Sequence, residues 1–164
     1  MFVVVYDFDS VYIGKPAIEL TVDRWVQGNP TTLAELRGKV IYINFFQMHC
    51  PACLAHSLPL AAVWYKKYAQ KGLEVIGLHT VFEDFEEQST SNFEKFVKES
   101  SLPFRICIDK PADGQIIPIT MQAYQTGGTP ASVVIDKKGI IRFKRFGYYD
   151  QKSLDLLLEK LLAE

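Results

Sequence analysis

Two cysteines, Cys50 and Cys53, form the group in this sequence with the clearest capacity for chemistry, a C-x-x-C pair that encloses Pro51 and Ala52. A strand-like segment precedes the pair and a helix-like segment follows it, which places Cys50 at a helix N-terminus. Unpaired N–H groups and the helix dipole favour an anion there, so we expect the pKa of Cys50 to lie below the free value of about 8.5. Cys53 lies one turn further in on the same helical face, and we expect it to be more buried and less acidic. This asymmetry predicts that Cys50 attacks a substrate disulfide and that Cys53 resolves the mixed disulfide.

The segments on both sides of the cysteine pair support this placement. Residues Val40 to Phe46 form a nearly continuous apolar run of β-branched and aromatic side chains, as in strands buried on both faces of a parallel sheet. From Pro51 onward the apolar residues take helical spacing, and proline is favourable at a first helical position. We expect Pro59 to kink this helix and Gly72 to end it. The residues predicted to face the core are Leu54, Leu58, Ala61, Tyr65 and Tyr68.

Strands and helices alternate through the sequence in the order β-α-β-α-β-α-β-β-α, behind an N-terminal segment. This order predicts an α/β layer structure with an antiparallel hairpin at one side, turning at Asp136 to Gly139. A capping box at Ser91 to Glu94 is expected to open the second helix. No linker separates two cores, so we expect one domain over residues 1–164. The predicted strands are 40–46, 73–80, 104–108, 131–135 and 140–146, and the later predicted helices are 91–99, 120–125 and the stripe around 154–162.

The composition fits a globular domain and limits the possible partners. The 164 residues are 48% hydrophobic and 23% charged, with a formal net charge of −1, and no basic surface typical of nucleic-acid binding is expected. No apolar run reaches the roughly 18 residues of a membrane span. The stretch Phe2 to Tyr6 is too short for a signal peptide and is interpreted as a strand. Cys107, the third cysteine, lies in an apolar run and is interpreted as a small buried hydrophobe.

Several segments together resemble the thioredoxin-like thiol–disulfide oxidoreductases of the TlpA/ResA type. The resemblance covers roughly residues 14–163. Pro59, nine residues after the first cysteine, matches the kink proline of that family's active-site helix. The other matching segments are Gly14-Lys15-Pro16-Ala17, Leu33 to Val40, Asn44-Phe45-Phe46 leading to the cysteine pair, Gly128-Thr129-Pro130, and Ala131 to Asp136 with Gly139.

This resemblance implies a thioredoxin fold, with a central mixed sheet flanked by helices. Residues 1–38 would be an N-terminal extension packing on the core, and about residues 91–109 an extra helix–strand insertion. It also implies that Pro130 is cis and faces Cys50, in a loop whose backbone pairs with a substrate peptide. A periplasmic or membrane-facing location follows from the resemblance, whereas a native start at Met1 would indicate the cytoplasm. The residues expected to bind substrate are Thr129, Pro130, His49, Pro51 and Ala52.

Two histidines depart from the family's pattern. His49 stands directly before the first cysteine, where the family usually has Trp, and its imidazole either stabilises the Cys50 thiolate or points to solvent. His56 stands three residues after Cys53, where several relatives carry Glu. We expect His56 to act catalytically by exchanging a proton with Cys53, the alternative being a surface histidine without a role. Asn44 takes the place of the buried acid of thioredoxin and is interpreted as structural.

Three functions of different classes fit a dithiol that opens a helix. The position of the pair favours an enzyme that exchanges disulfides with protein thiols or disulfides and with an upstream or downstream redox partner, without a cofactor. A thiol-dependent peroxidase on the same fold is disfavoured, because Ile43 and Gln47 stand where the peroxiredoxin motif P-x-x-x-T-x-x-C has Pro and Thr. A metal-binding module would use the dithiol and a neighbouring histidine to hold zinc or copper. No complete ligand set is visible in the sequence, so no metal site is predicted.

Overall fold

The structure, a computed structural model, describes residue 9 and residues 12–164, and the strand predicted at Phe2 to Tyr6 lies outside them. The strands of the described residues are β1 (Val22–Gln27), β2 (Val40–Phe46), β3 (Leu73–His79), β4 (Arg105–Asp109), β5 (Ala131–Ile135) and β6 (Ile141–Phe146). Their α-helices are α1 (Leu58–Tyr68), α2 (Thr90–Ser100), α3 (Ile119–Tyr124) and α4 (Gln151–Ala163). A π-helical turn, Cys53–Ser57, precedes α1, and 3-10 turns occupy Ala34–Leu36 and Ala69–Lys71. All of these strands join one mixed sheet in the order β1-β4-β3-β2-β5-β6.

The strand β2 lies inside the sheet, and all seven of its residues are buried. It pairs in parallel with β3, so that Phe46 is opposite His79, and antiparallel with β5, so that Phe45 is opposite Ala131. The prediction of a strand buried on both faces is confirmed. Because β5 runs antiparallel to β2, the residues just before Ala131 lie beside the end of β2 and the cysteine turn that follows it.

Two apolar layers cover the faces of the sheet. Side chains of α1, α2 and α4, among them Trp64, Phe93 and Leu158, form one layer. Tyr124 of α3 and Leu33 belong to the other. The mixed sheet flanked by helices is the architecture that the resemblance implies, and α2 with β4 forms the expected helix–strand insertion. None of the helices in the described part of the chain is long and apolar enough to cross a membrane.

The helix that carries the cysteines departs from prediction in its first turns. The turn Cys53–Ser57 is π-helical and therefore holds about one residue more than an α-helical turn. The extra residue rotates the start of the helix relative to the core, so Cys53 is buried while Leu54, which was predicted to face the core, is 44% exposed. Pro59, the second residue of α1, has no N–H with which to close an α-helical bond to the preceding turn. The irregularity expected from Pro59 therefore takes the form of a π turn upstream of it.

The strand β1 is absent from the sequence-based prediction. It pairs antiparallel with β4 at an edge of the sheet, and every one of its residues keeps some exposure to solvent. Edge strands of this kind carry charged residues, here Asp23 and Arg24, and lack the regular apolar alternation that marks a half-buried strand. This strand belongs to the segment 1–38 that was expected to be an extension.

The predicted capping box of α2 is wrong by two residues. Ser89, which precedes the helix in an extended conformation, is the N-cap, because its Oγ accepts the backbone N–H of Asn92 at 3.3 Å. Ser91 lies inside the first turn. The sequence has a serine at positions 89 and 91, and it is Ser89 that accepts the free backbone N–H of Asn92.

Candidate active site

Cys50 and Cys53 form a disulfide at the start of the helix that follows β2, with their Cα atoms 5.2 Å apart. Cys50 is partly exposed and Cys53 is buried, so the predicted difference in burial is confirmed. The backbone N–H of Cys53 donates to Sγ of Cys50 at 3.2 Å. The first turn of a helix leaves such an N–H without an intrahelical acceptor, and it stabilises a thiolate more than a thiol. The arrangement favours a reactive Cys50 when the disulfide is reduced.

A short turn connects β2 to this helix and fixes the position of Cys50. The backbone N–H of Cys50 donates to the carbonyl oxygen of Gln47, and that of Leu54 donates to the carbonyl oxygen of Cys50, each at 3.1 Å. Pro51 is the first helical residue, where its missing N–H leaves no donor without a partner. Pro51 is exposed and Ala52 partly exposed. Their contact with substrate stays a prediction.

The loop before β5 brings Thr129 and Pro130 beside the cysteine turn. The Thr129–Pro130 peptide bond is cis, as the resemblance implies. Ala131, the next residue, pairs with Phe45 near the end of β2. Thr129 is partly exposed, and its Oγ1 lies 3.3 Å from Nε2 of Gln47, the residue that also accepts the Cys50 N–H. Substrate binding by Thr129 and Pro130 stays a prediction.

His56 is exposed, although it stands only three residues after the buried Cys53. The π turn places Ser57 on the buried side, and the ring of His56 instead meets Tyr148 edge-on, with ring centroids 5.1 Å apart. Exchange of a proton between His56 and Cys53 stays a prediction. The pocket that contains His56 is lined by Ser57, Leu60, Pro130, Gly147, Tyr148, Tyr149 and Gln151.

His49 is exposed on a separate surface, in a groove beside α2. The groove is lined by Met48, Asn92, Lys95 and Phe96 together with the carboxylates of Glu87 and Glu99. The two histidines that flank the cysteine pair therefore line different pockets. Within residues 12–164 and residue 9, no group of three or more His, Cys, Asp or Glu could hold a metal ion.

Asn44 lies in the middle of the sheet, fully buried in β2. Its Oδ1 accepts a hydrogen bond from Oγ of Ser57 at 3.3 Å, which ties the strand to the π turn of the cysteine helix. Its Nδ2 has no hydrogen-bond partner among the residues that the structure describes. The interpretation of Asn44 as structural fits the bond to Ser57.

His79, at the end of β3, is buried and neutral at pH 7. Its ring stacks on Phe93 with the centroids 3.8 Å apart, and its Nε2 lies 3.2 Å from Oε1 of Gln88. Burial lowers the pKa of His79 to about 4, an effect that the bond to Gln88 opposes and the nearby charge of His49 reinforces. The imidazole is thus a fixed neutral group behind the site.

Most of the chain matches one known protein family. Residues 13–144 match the sequence profile of the AhpC/TSA family, a span that contains the cysteine pair and Pro130. The chain belongs to the AhpC/TSA family. Among curated relatives of this AhpC/TSA chain, the thiol-disulfide oxidoreductase ResA of Bacillus cereus is 31% identical over 155 residues, 94% of this chain and 82% of the relative. Protein DipZ of Mycobacterium bovis is 32% identical over 135 residues, which are 82% of this chain and 18% of that protein.

Solved structures share the fold of this AhpC/TSA chain. A thiol-disulfide isomerase from Corynebacterium glutamicum is 39% identical, with a TM-score of 0.87 over 91% of this chain and 97% of that one. A crystallised thioredoxin-like superfamily protein is 40% identical, with a TM-score of 0.86 over the same shares of the two chains. The thioredoxin-like fold expected from the sequence is therefore confirmed.

Two polar residues at the site of this AhpC/TSA chain are absent from the residues predicted from the sequence. Gln47 connects the cysteine turn to Thr129, and Ser57 connects the cysteine helix to β2. A signal for Gln47 is present in the sequence, because a polar residue directly after a buried parallel strand lies where ligands gather. Ser57 carries a weaker signal: it stands four residues after Cys53 and so on the same helical face, but its partner Asn44 belongs to another element.

Proposed function

We propose that this AhpC/TSA-family protein is a thiol–disulfide oxidoreductase that exchanges disulfides with protein partners through Cys50 and Cys53. The observation that carries the proposal is the bonded cysteine pair at a helix N-terminus, with the N–H of Cys53 donating to the sulfur of Cys50. Relatives named thiol-disulfide oxidoreductase and thiol-disulfide isomerase support it.

The geometry gives the two sulfurs different parts in the exchange. The thiolate of the accessible Cys50 attacks one sulfur of a substrate disulfide, so that a mixed disulfide forms and one substrate thiolate leaves. Cys53 then loses its proton and attacks Sγ of Cys50, which releases the second substrate thiolate and forms the internal disulfide. Two electrons pass from the protein dithiol to the substrate disulfide. A redox partner of the same dithiol class restores the reduced pair, and the same steps in reverse oxidise a substrate dithiol.

The neighbouring residues support these steps in separate ways. His56 takes the proton of Cys53 during resolution, from an exposed position on the same helix. Thr129 and Pro130 bind the backbone of the substrate beside the Cys50 turn. His49, Pro51 and Ala52, the exposed or partly exposed neighbours of Cys50 in the sequence, contact the substrate around its disulfide.

The proposal is tested by trapping the mixed disulfide. The protein is reduced, mixed with insulin as a disulfide-containing probe, quenched with acid and analysed by mass spectrometry. Cys53→Ser is expected to accumulate a covalent adduct with an insulin chain, and Cys50→Ser to form none. Cys107→Ser, which alters the buried third cysteine, is the matched control and is expected to turn over insulin like the unaltered protein.

Two outcomes would contradict the proposal. One is an adduct on Cys53 in the Cys50→Ser variant together with no adduct on Cys50 in the Cys53→Ser variant, which would reverse the roles of the sulfurs. The other is the absence of insulin turnover together with rapid consumption of hydrogen peroxide in the presence of a thiol donor, which would identify a peroxidase.

A further inference from the structure

Gln47 is a buried glutamine after β2 whose side chain makes four hydrogen bonds. Its Nε2 donates to Oε1 of Glu83 at 3.2 Å and to Oγ1 of Thr129 at 3.3 Å. Its Oε1 accepts from Nε2 of Gln88 at 2.8 Å and from the backbone N–H of Phe82 at 3.4 Å. A glutamine amide has two donor hydrogens and two acceptor lone pairs, so its whole hydrogen-bonding capacity is used.

The direction of these bonds is fixed by partners that have a single role. The backbone N–H of Phe82 can only donate, which places Oε1 of Gln47 towards it. The carboxylate of Glu83 accepts, which places Nε2 of Gln47 on the opposite side. Nε2 therefore also faces the hydroxyl of Thr129, and the hydroxyl oxygen must accept. The proton of the Thr129 hydroxyl is left for another acceptor.

The buried amide of Gln88 continues this chain of hydrogen bonds into the core. Nε2 of Gln88 donates to Oε1 of Gln47 and also to the backbone carbonyl of Glu83 at 3.0 Å, so Oε1 of Gln88 faces His79. The neutral imidazole must then carry its proton on Nε2 and donate it. The bonds thus run in one direction from His79 through Gln88 and Gln47 to Thr129, and the chain ends at the hydroxyl of this partly exposed residue, in the loop next to the cysteine turn.

We propose that Gln47 is a positioning residue for substrate binding. By donating to Oγ1 of Thr129, it directs the hydroxyl proton of Thr129 to an acceptor of the bound substrate, such as a main-chain carbonyl oxygen of the peptide that carries the disulfide. The backbone of Gln47 meanwhile holds the N–H of Cys50, so one residue sets the spacing between the attacking sulfur and the peptide-binding loop. The inference rests on the proposed disulfide exchange and adds a role that the cysteines do not perform.

The test compares Gln47→Met, Thr129→Val and the double variant in insulin reduction and in reduction of oxidised glutathione. Methionine and valine keep the shapes of the side chains and remove the hydrogen bonds. For insulin, we expect each single variant to raise KM about fivefold, as the loss of one hydrogen bond implies, with kcat preserved. The double variant is expected to be no worse than either single one, because both changes remove the same bond to substrate. Rates with oxidised glutathione, which presents a much shorter peptide, are expected to change less.

Gln27→Met is the matched control. Nε2 of Gln27 donates to the backbone carbonyls of Leu102 and Phe104, each at 2.7 Å, and β1 lies three strands away from β2. This variant is expected to lose stability and to keep its KM for insulin. An equal rise in KM for Gln27→Met and Gln47→Met would overturn the inference, since a general loss of stability of the fold would explain both.

The remaining outcomes separate the inference from the proposed function. If Thr129→Val raises KM while Gln47→Met does not, or if the two effects multiply in the double variant, Gln47 does not act through Thr129 and the inference fails alone. If Thr129→Val leaves KM unchanged, the substrate role of the Thr129 hydroxyl fails, and the inference fails with it. If the unaltered protein does not exchange disulfides with insulin, the proposed function itself is refuted.

Exchanging the glutamine at position 47 with the glutamate at position 83 tests the direction of the hydrogen bond between Gln47 and Thr129. Gln47→Glu removes both donors and sets two carboxylates against each other, so it is expected to be unstable. Adding Glu83→Gln restores a donor between the two side chains and is expected to recover stability. The carboxylate at position 47 can only accept, however, which turns the hydroxyl proton of Thr129 inward. The double variant is therefore expected to fold and to keep a raised KM for insulin, and a normal KM would contradict the inference.

Discussion

The backbone N–H of Cys53 lies 3.2 Å from Sγ of Cys50 and donates to it. The N–H belongs to the first turn of a helix that is anchored in the core, while the sulfur that it contacts belongs to a partly exposed residue. A donor fixed by the fold therefore stabilises negative charge on the sulfur that solvent and substrate can reach.

The first prediction concerns the acidity of Cys50 in the reduced protein. The donated hydrogen bond and the helix N-terminus are expected to hold the pKa of Cys50 below the free value of about 8.5. The measurement is the pH dependence of alkylation by iodoacetamide in Cys107→Ser and in the Cys53→Ser, Cys107→Ser double variant, so that Cys50 is followed separately. A Cys50 pKa at or above the free value would argue against a thiolate stabilised by the helix.

The second prediction concerns His56. If His56 takes the proton of Cys53, His56→Ala is expected to slow release of the second substrate thiol by about a hundredfold, at the low end for general-base catalysis, and to spare formation of the mixed disulfide. Single-turnover stopped-flow measurements resolve the two steps. Lys66→Ala, an exposed change on the same helix, is the control. Equal rates of the second step in His56→Ala and the unaltered protein would remove His56 from the mechanism.

The third prediction concerns stability at acidic pH. The pKa of His79 is about 4 in the folded protein, against about 6.5 when unfolded. Between these values the unfolded chain binds a proton that the folded one does not, so the stability contributed by neutral His79 is complete above pH 6.5 and is lost as the pH falls towards 4. The loss amounts to about 3 kcal/mol.

Urea unfolding across this pH range measures the effect. His79→Gln keeps a donor towards Gln88 but does not titrate, and it is expected to lack the acid-dependent fall. His49→Gln, an exposed change, is expected to keep it. Parallel pH profiles for His79→Gln and the unaltered protein would show that His79 is not the group responsible.

The fourth prediction tests the start of α2. Because Ser89 accepts the N–H of Asn92, Ser89→Ala is expected to lower the free energy of unfolding by about 1 kcal/mol. Ser91→Ala, within the exposed first turn, is expected to change it by less than about 0.5 kcal/mol. Urea denaturation of both variants provides the measurement. A larger loss from Ser91→Ala would restore the cap that the sequence pattern predicts.

The parts of the fold that the sequence predicts well are those in which burial dictates residue type. The apolar run of β2 and the cysteine pair after it determine a strand–turn–helix, and the structure contains it. The edge strand β1 escapes prediction because its residues, such as Arg24, face solvent as often as the sheet. The π turn escapes because a five-residue turn leaves no pattern distinct from an α-helix, although it turns His56 away from the buried side that Cys53 and Ser57 share.

The hydrogen-bonded chain that includes Gln47 could not be predicted for a different reason. Its members, His79, Gln88, Gln47 and Thr129, come from four separate segments that only the sheet brings together. The sequence shows each as a polar residue near the end of an element. Their order and direction depend on three-dimensional contacts with Glu83 and Phe82.

The most direct test of the account is equilibration of the protein in glutathione buffers of graded redox potential, followed by acid quenching, alkylation and mass spectrometry. We predict that Cys50 and Cys53 pass together between a dithiol and an internal disulfide, with the same curve approached from the reduced and the oxidised side, while the buried Cys107 stays a thiol. A pair that fails to interconvert, or that accumulates only single glutathione adducts on Cys50, would contradict disulfide exchange by this protein.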